Sequence, residues 1–194
     1  CKLPSLQSLH LVSNDLESAG LAELAPALYR NTSIKVLDMS YDELGGMESA
    51  EIFRDILRNN KIMTDLDLSG NRFGRTTGAV ECITDGLGSN ATLLKFDLSS
   101  LCRRLVDDGI SILAQTLGSR NTTLQKLTLG SNSITTTGLG VLLDTSYQIT
   151  DLDLQHNRFG NEGASLLARY LGMNALPNLT RLSLSDCHIG DDGF

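Results

Sequence analysis

The 194-residue chain has no tryptophan, and only five phenylalanines and four tyrosines. Its core cannot be built on large aromatic plates, so aliphatic side chains must fill it. Proline occurs three times, which excludes a proline-rich extended segment. No run of apolar residues nears the roughly eighteen that a membrane helix needs, and no membrane contact is expected. Basic residues number 16 against 23 acidic ones, for a net charge of −7. The lysines and arginines form no run beyond the pair Arg103-Arg104. Phosphate neutralisation requires clustered positive charge, so no nucleic-acid partner is expected. Cys1, Cys82, Cys102 and Cys187 lie far apart, without a CxxC pair or histidines at ligand spacing. The reading is therefore no metal, no cofactor and no disulfide framework, in a reducing, cytoplasmic compartment. The start, Cys1-Lys2-Leu3-Pro4, has neither an initiator methionine nor an apolar leader, so a piece of a longer array is expected.

Leucine, by contrast, fills 36 of 194 positions, a bias that points to internal repetition. The segment Leu6-Gln7-Ser8-Leu9-His10-Leu11 recurs in outline from Ile34, Met63, Leu93, Leu124, Ile149 and Leu179, at spacings of 28, 29, 30, 31, 25 and 30. The fourth position of each unit is always apolar (Leu9, Leu37, Leu66, Phe96, Leu127, Leu152, Leu182), and so is the sixth (Leu11, Met39, Leu68, Leu98, Leu129, Leu154, Leu184). Apolar residues two apart lie on one face of a short strand.

The ninth position reads Asn14, Asp42, Asn71, Leu101, Asn132, Asn157 and Cys187, and an apolar anchor follows two residues later in most units. A chain bending inward there turns backbone donors and acceptors toward a dry interior. An asparagine amide can satisfy both kinds, so stacked units predict a ladder of amides. The second half of each unit changes to helical spacing, as in Leu21, Leu24, Ala25, Leu28 and in Ile110, Leu113, Ala114, Leu117. Gly20, Gly109, Gly138, Gly163 and Gly193 read as the bend before these helices, with acids nearby that suit a helix start. The 25-residue fifth unit reads as having a one-turn helix through Leu139, Leu142 and Leu143.

The pattern LxxLxLxxNxL, followed by glycine and an amphipathic helix, resembles the leucine-rich repeat, and the 28-to-31-residue length resembles its ribonuclease-inhibitor-like subclass. The resemblance covers residues 6–194. It implies an α/β fold: a right-handed, curved solenoid or partial horseshoe, with parallel strands on the concave face and helices on the convex face. A single domain over 1–194 is expected, with seven repeats and the last cut short. Neither end looks capped, so self-association through the ends is expected. The chain is similar to the leucine-rich segments of NLR-type innate sensors, to ribonuclease inhibitor and to the leucine-rich domain of the Ran GTPase-activating protein.

Such resemblances imply a protein partner on the concave strands. The fifth column reads His10, Asp38, Asp67, Asp97, Thr128, Asp153, Ser183, and the third adds Asp65, Lys95, Lys126, Asp151 and Arg181. Together they predict an acidic strip that attracts a basic segment. Tyr41, His156 and Arg181 are the candidate anchors, because aromatics and arginine carry most interface energy. The competing reading is that LDLS is simply the pattern of the repeat. The fourth unit reaches its glycine two residues late, which predicts a bulged loop carrying Arg103 and Arg104 as a second candidate site. Catalysis has no visible machinery. His10, His156 and His188 fall at different repeat positions, and no nucleophile elbow, P-loop or HExxH occurs. The expectation is a non-enzymatic protein-binding module. The alternatives are a regulator acting on a GTPase, a segment that folds back on its own longer chain as in NLR-like sensors, or a secreted microbial effector. Four Asn-x-Ser/Thr sequons begin at Asn31, Asn90, Asn121 and Asn178. Asn31, Asn60, Asn90 and Asn121 each stand three residues before a repeat start, which favours a structural role as helix-ending residues over glycosylation.

Overall fold

The computed structural model describes residues 5–76, 78–101, 105–145 and 147–190. Seven three-residue strands, β1 Ser8–His10, β2 Val36–Asp38, β3 Asp65–Asp67, β4 Lys95–Asp97, β5 Lys126–Thr128, β6 Asp151–Asp153 and β7 Arg181–Ser183, form one parallel sheet in chain order. The register sets like columns side by side: Leu37 faces Leu66, which faces Phe96. Six helices pack on one side: α1 Glu17–Tyr29, α2 Gly46–Asn59, α3 Ala79–Gly88, α4 Asp107–Ser119, α5 Thr136–Thr145 and α6 Gly160–Gly172. Fourth- and sixth-column residues such as Leu37, Met39, Phe96 and Leu98 join helix residues such as Phe53, Ile56 and Leu113 in one core. This is the α/β leucine-rich-repeat solenoid, its strands on the concave side.

The ninth column forms the amide ladder. Asn71 donates from Nδ2 to the Met39 and Leu68 carbonyls (2.7 and 3.0 Å), and its Oδ1 accepts the amides of Asp42 and Leu44 (3.1 and 2.9 Å). Asn132 and Asn157 repeat the pattern, and Cys187 keeps part of it, with Sγ donating to the Leu154 carbonyl at 3.3 Å. Each rung satisfies backbone of its own repeat and of the one before.

A second ladder lies at the other end of the strands. Asn90 Oδ1 accepts the amides of Thr92 and Leu93 (2.9 and 2.7 Å), while Nδ2 donates back to the Leu57 carbonyl at 2.7 Å. Asn60 and Asn121 do the same, and Gln148 and Asn178 donate to the preceding repeat from their own positions. These asparagines are structural, but not as left-handed helix caps: Asn60 is extended, with φ −74° and ψ 126°. They shape the turn into the next strand, and Asn90 and Asn121, both sequon asparagines, are buried there.

Two readings of the sequence need correction. Among the described residues the glycines do not mark a bend before the helices; Gly20, Gly109, Gly138 and Gly163 lie inside their first turns, and Gly193 lies outside the described residues. Each clears space for the anchor four residues earlier: a Cβ on Gly20 would stand 2.7 Å from Leu16 Cδ1, one on Gly138 2.7 Å from Ile134 Cγ2, and those on Gly109 and Gly163 would collide with Leu105 and Phe159. The fifth repeat has no one-turn helix. Its helix α5 has 10 residues against 13 in α1, which accounts for the whole difference between 25- and 28-residue repeats.

The fourth repeat keeps its stacking despite the extra residues. Asn132 Oδ1 reaches the amides of Leu101 and Leu105 (3.2 and 3.4 Å), so the residues on either side of the insertion both hold to the ladder. Arg103 and Arg104 lie outside the described residues.

Asn132→Ala strands four buried backbone groups and should lower unfolding stability by about 3 kcal/mol in urea denaturation. Gly163→Ala, by forcing Phe159 aside, should cost about 2 kcal/mol in the same assay.

Candidate functional site

Alternation along each strand buries the fourth-column residue and turns the third and fifth to the concave face. A shallow cavity of about 220 Å³ opens there over β1–β5, lined among others by Asp38, Asp67, Asp97, Lys95 and Lys126. The two outward columns differ electrostatically.

The third column is neutralised within itself. Parallel pairing sets Lys95 beside Asp65, and Nζ meets Oδ1 at 2.6 Å. Asp151 sits between Lys126 and Arg181, at 3.9 and 4.0 Å. Asp65, Asp151 and Arg181 are thus partners of one another's column before they are partners of anything else.

The fifth column keeps its charge. Asp38 is paired with His10 Nδ1 at 3.2 Å. Among the described residues, Asp67, Asp97 and Asp153 have no cation within ion-pair reach. One oxygen of each aspartate has a structural task. Oδ1 accepts the amide two residues on, from Ser40, Ser69, Ser99 and Gln155 at 2.8–3.1 Å, and so starts the bend after the strand. The LDLS pattern therefore has a local physical reason, and Oδ2 remains for other contacts.

Neighbours tune these carboxyls. Burial pushes Asp38 up, but bonds from the Ser40 hydroxyl and amide and from His10 outweigh it, and the group sits below its ordinary range. At Asp97 burial wins: the Ser99 bonds oppose it, the Asp67 charge adds to it, and the carboxyl lies above its ordinary range.

Tyr41 and His156 occupy the eighth column, at the loop edge beyond the strands, both in the left-handed region at φ 57° and 55°. The Tyr41 ring lies over Gly70, where a Cβ would stand 2.5 Å from Cε1, and the residue is 55% exposed. His156 Nδ1 meets Asp186 Oδ2 at 2.9 Å beside an open cleft that His188 and Arg158 also line. The concave face therefore brings the fifth-column aspartates together, while Tyr41 and His156 stand on its rim. No group of three or more His, Cys, Asp or Glu residues could hold a metal ion among the described residues. No described helix is long and apolar enough to cross a membrane.

A family model described as Leucine Rich repeat matches residues 2–25, 120–143, 149–168 and 175–193. The mouse (Mus musculus) protein NACHT, LRR and PYD domains-containing protein 14 is 31% identical over 191 residues, or 96% of this chain and 19% of that protein. The pig (Sus scrofa) ribonuclease inhibitor is 29% identical over 200 residues, or 87% of this chain and 43% of that one. The chain thus spans less than half the length of either relative. Among solved structures, leiomodin-1 actin-binding site 2 shares the fold at TM-score 0.51 and 17% identity, over 91% of this chain and 82% of that one. The Drosophila Toll–Spatzle complex matches at TM-score 0.50 and 20% identity, over 94% of this chain and 24% of the other. With two amide ladders, in-register strands and these matches, the chain belongs to the leucine-rich-repeat proteins. Its units are of the ribonuclease-inhibitor-like type, homologous to the repeats of NLR proteins and of ribonuclease inhibitor.

Asp67→Asn removes a like charge beside Asp97 while keeping an oxygen for the Ser69 amide. The Asp97 carboxyl should then titrate at lower pH, read by the chemical shift of its carboxyl carbon. A fold that raises an acid's pKa gains stability from the protonated form at low pH and loses it as pH rises, so the variant should be less destabilised than the parent on going from pH 4 to pH 7.

Proposed function

We propose that this chain is a protein-binding module, and that its concave face holds a basic segment of a partner protein along the fifth column. The observation that carries this reading is the contrast between columns: Asp65 and Asp151 are spent on Lys95, Lys126 and Arg181, whereas Asp67, Asp97 and Asp153 face the open side without a cation. Lysine or arginine side chains of a partner fit that row, with Tyr41 on the rim as an aromatic contact for a cation. Arg103 and Arg104 are kept as a second contact for an acidic part of the same partner. Protein partners are found on this fold: leiomodin-1 contributes an actin-binding site, and Toll is seen in complex with Spatzle.

The homology over 96% of the chain to an NLR-type protein favours a second reading, in which the segment's partner is another domain of its own longer chain. The same concave face would serve.

The test is a pull-down from native lysate with the parent beside Asp67→Asn/Asp97→Asn/Asp153→Asn, which preserves the turn-forming oxygens and removes three charges. The named partner is then titrated at several salt concentrations. Binding should weaken by about tenfold per carboxylate lost, with a shallower salt dependence. Equal affinity of parent and variant would show that the fifth column serves the turns alone. Recovery of a domain of the parent protein, rather than a separate chain, would favour the intramolecular reading.

A further inference from the structure

The polar rungs of the ninth-column ladder share one requirement. Each must donate a hydrogen to the sixth-column carbonyl of the repeat before. Asn71 donates to Met39, Asn132 to Leu98, Asn157 to Leu129, and Cys187, with its thiol hydrogen, to Leu154. Asp42 holds the same position in the second repeat, fully buried, and an ionised carboxylate has no hydrogen to give.

The accepting half of Asp42 is in place. Its Oδ1 takes the amide of Asn14 at 2.6 Å, and the amide of Leu16 also acts on the carboxyl; these are the ninth and eleventh residues of the preceding repeat. Asn71 Oδ1 takes the amides of Asp42 and Leu44 in the same way. The repeat register then puts Asp42 Oδ2 where the asparagines carry their NH2 group, toward the Leu11 carbonyl. That oxygen is buried and has no hydrogen-bond partner. Two oxygens facing each other in a dry interior repel unless one carries a proton.

We propose that Asp42 is a proton-holding rung: in the folded chain it is a neutral carboxylic acid whose Oδ2–H replaces the asparagine NH2, so that docking of the first repeat onto the second depends on pH. The charged groups around it act in the same sense. Asp15 on the first repeat's loop and Asp38 on β2 are carboxylates whose charges favour the neutral form. On the third repeat's loop Arg72 pairs with Glu43, and His10 is engaged with Asp38. Burial is the larger influence, and the carboxyl lies above its ordinary range, with the amide bonds from Asn14 and Leu16 opposing the rise. Because the folded state raises the pKa, the rung stabilises the fold at low pH and loses that contribution as pH climbs through the raised value. Tyr41 precedes Asp42, so the rim of the concave face is attached to the same rung.

The experiment is a carboxyl-carbon NMR titration of the parent chain, joined to native-state hydrogen exchange of the parent and of Asp42→Asn, the residue that the other rungs use. The Asp42 carboxyl should titrate above the ordinary aspartate range. Corrected for intrinsic exchange, protection of the Asn14 and Leu16 amides in the parent should fall by up to about tenfold per pH unit between the ordinary aspartate range and the pH at which Asp42 titrates, and level off above it. The Asn132 and Ile134 amides, bonded to Asn157 Oδ1, should stay level. In Asp42→Asn the Asn14 and Leu16 amides should be level too, and better protected at pH 7 than in the parent. An Asp42 carboxyl titrating at or below the ordinary range overturns the proposal, as does the same pH slope in Asp42→Asn. Should that variant not fold, the titration of the parent decides alone.

Discussion

Every bend of this solenoid turns backbone amides and carbonyls toward an interior without water, and a side-chain amide from a neighbouring repeat answers them. Strands of three residues offer few bonds of their own to hold successive units in step. The asparagines at both strand ends do the rest: Asn71, Asn132 and Asn157 where the chain leaves the strand, Asn60, Asn90 and Asn121 where it enters. Because each amide spans two repeats, it sets the register of one unit against the next. That register decides which outward side chains meet, so the chemistry of the concave face follows from bonds at its edges.

The outward columns illustrate the point. Lys95 neutralises Asp65 only because β3 and β4 pair position for position. Had they slipped by two residues, the lysine would lie beside Asp67 and the charged row would be a different one. The fifth-column aspartates combine two tasks in one group, with one oxygen bound to the turn and the other turned outward. This explains why aspartate suits a position where asparagine would serve the backbone equally well, if charge has a use on that face.

Much of this was legible in the residues themselves. Period-two leucines located every strand, and the Asn14-to-Cys187 column announced the first ladder. The misreadings have physical causes. Gly20 and Gly163 looked like bend formers because glycine is usually chosen for its backbone freedom; here it is chosen for its missing Cβ, which only the contact with Leu16 or Phe159 discloses. The second asparagine ladder was visible as a column but was taken for helix caps, since its long-range bonds span about thirty residues. The basic residues among the outward columns were visible in the sequence, but which acid each one meets follows only from the strand register that sets Asp65 beside Lys95 and Asp151 beside Lys126.

The back of the molecule also shapes its front. Gly86 on α3 lies so near α2 that a Cβ there would stand 2.7 Å from Arg54 Cα. A solenoid of this kind curves because helices need about 8–10 Å of separation while strands sit about 4.8 Å apart. Where two helices approach backbone to backbone, that mismatch shrinks and the arc flattens. A single absent methyl group on the convex side therefore widens the radius of the binding face between the second and third repeats, and the shape of partner the cradle can accept is partly written on a surface that the partner never touches.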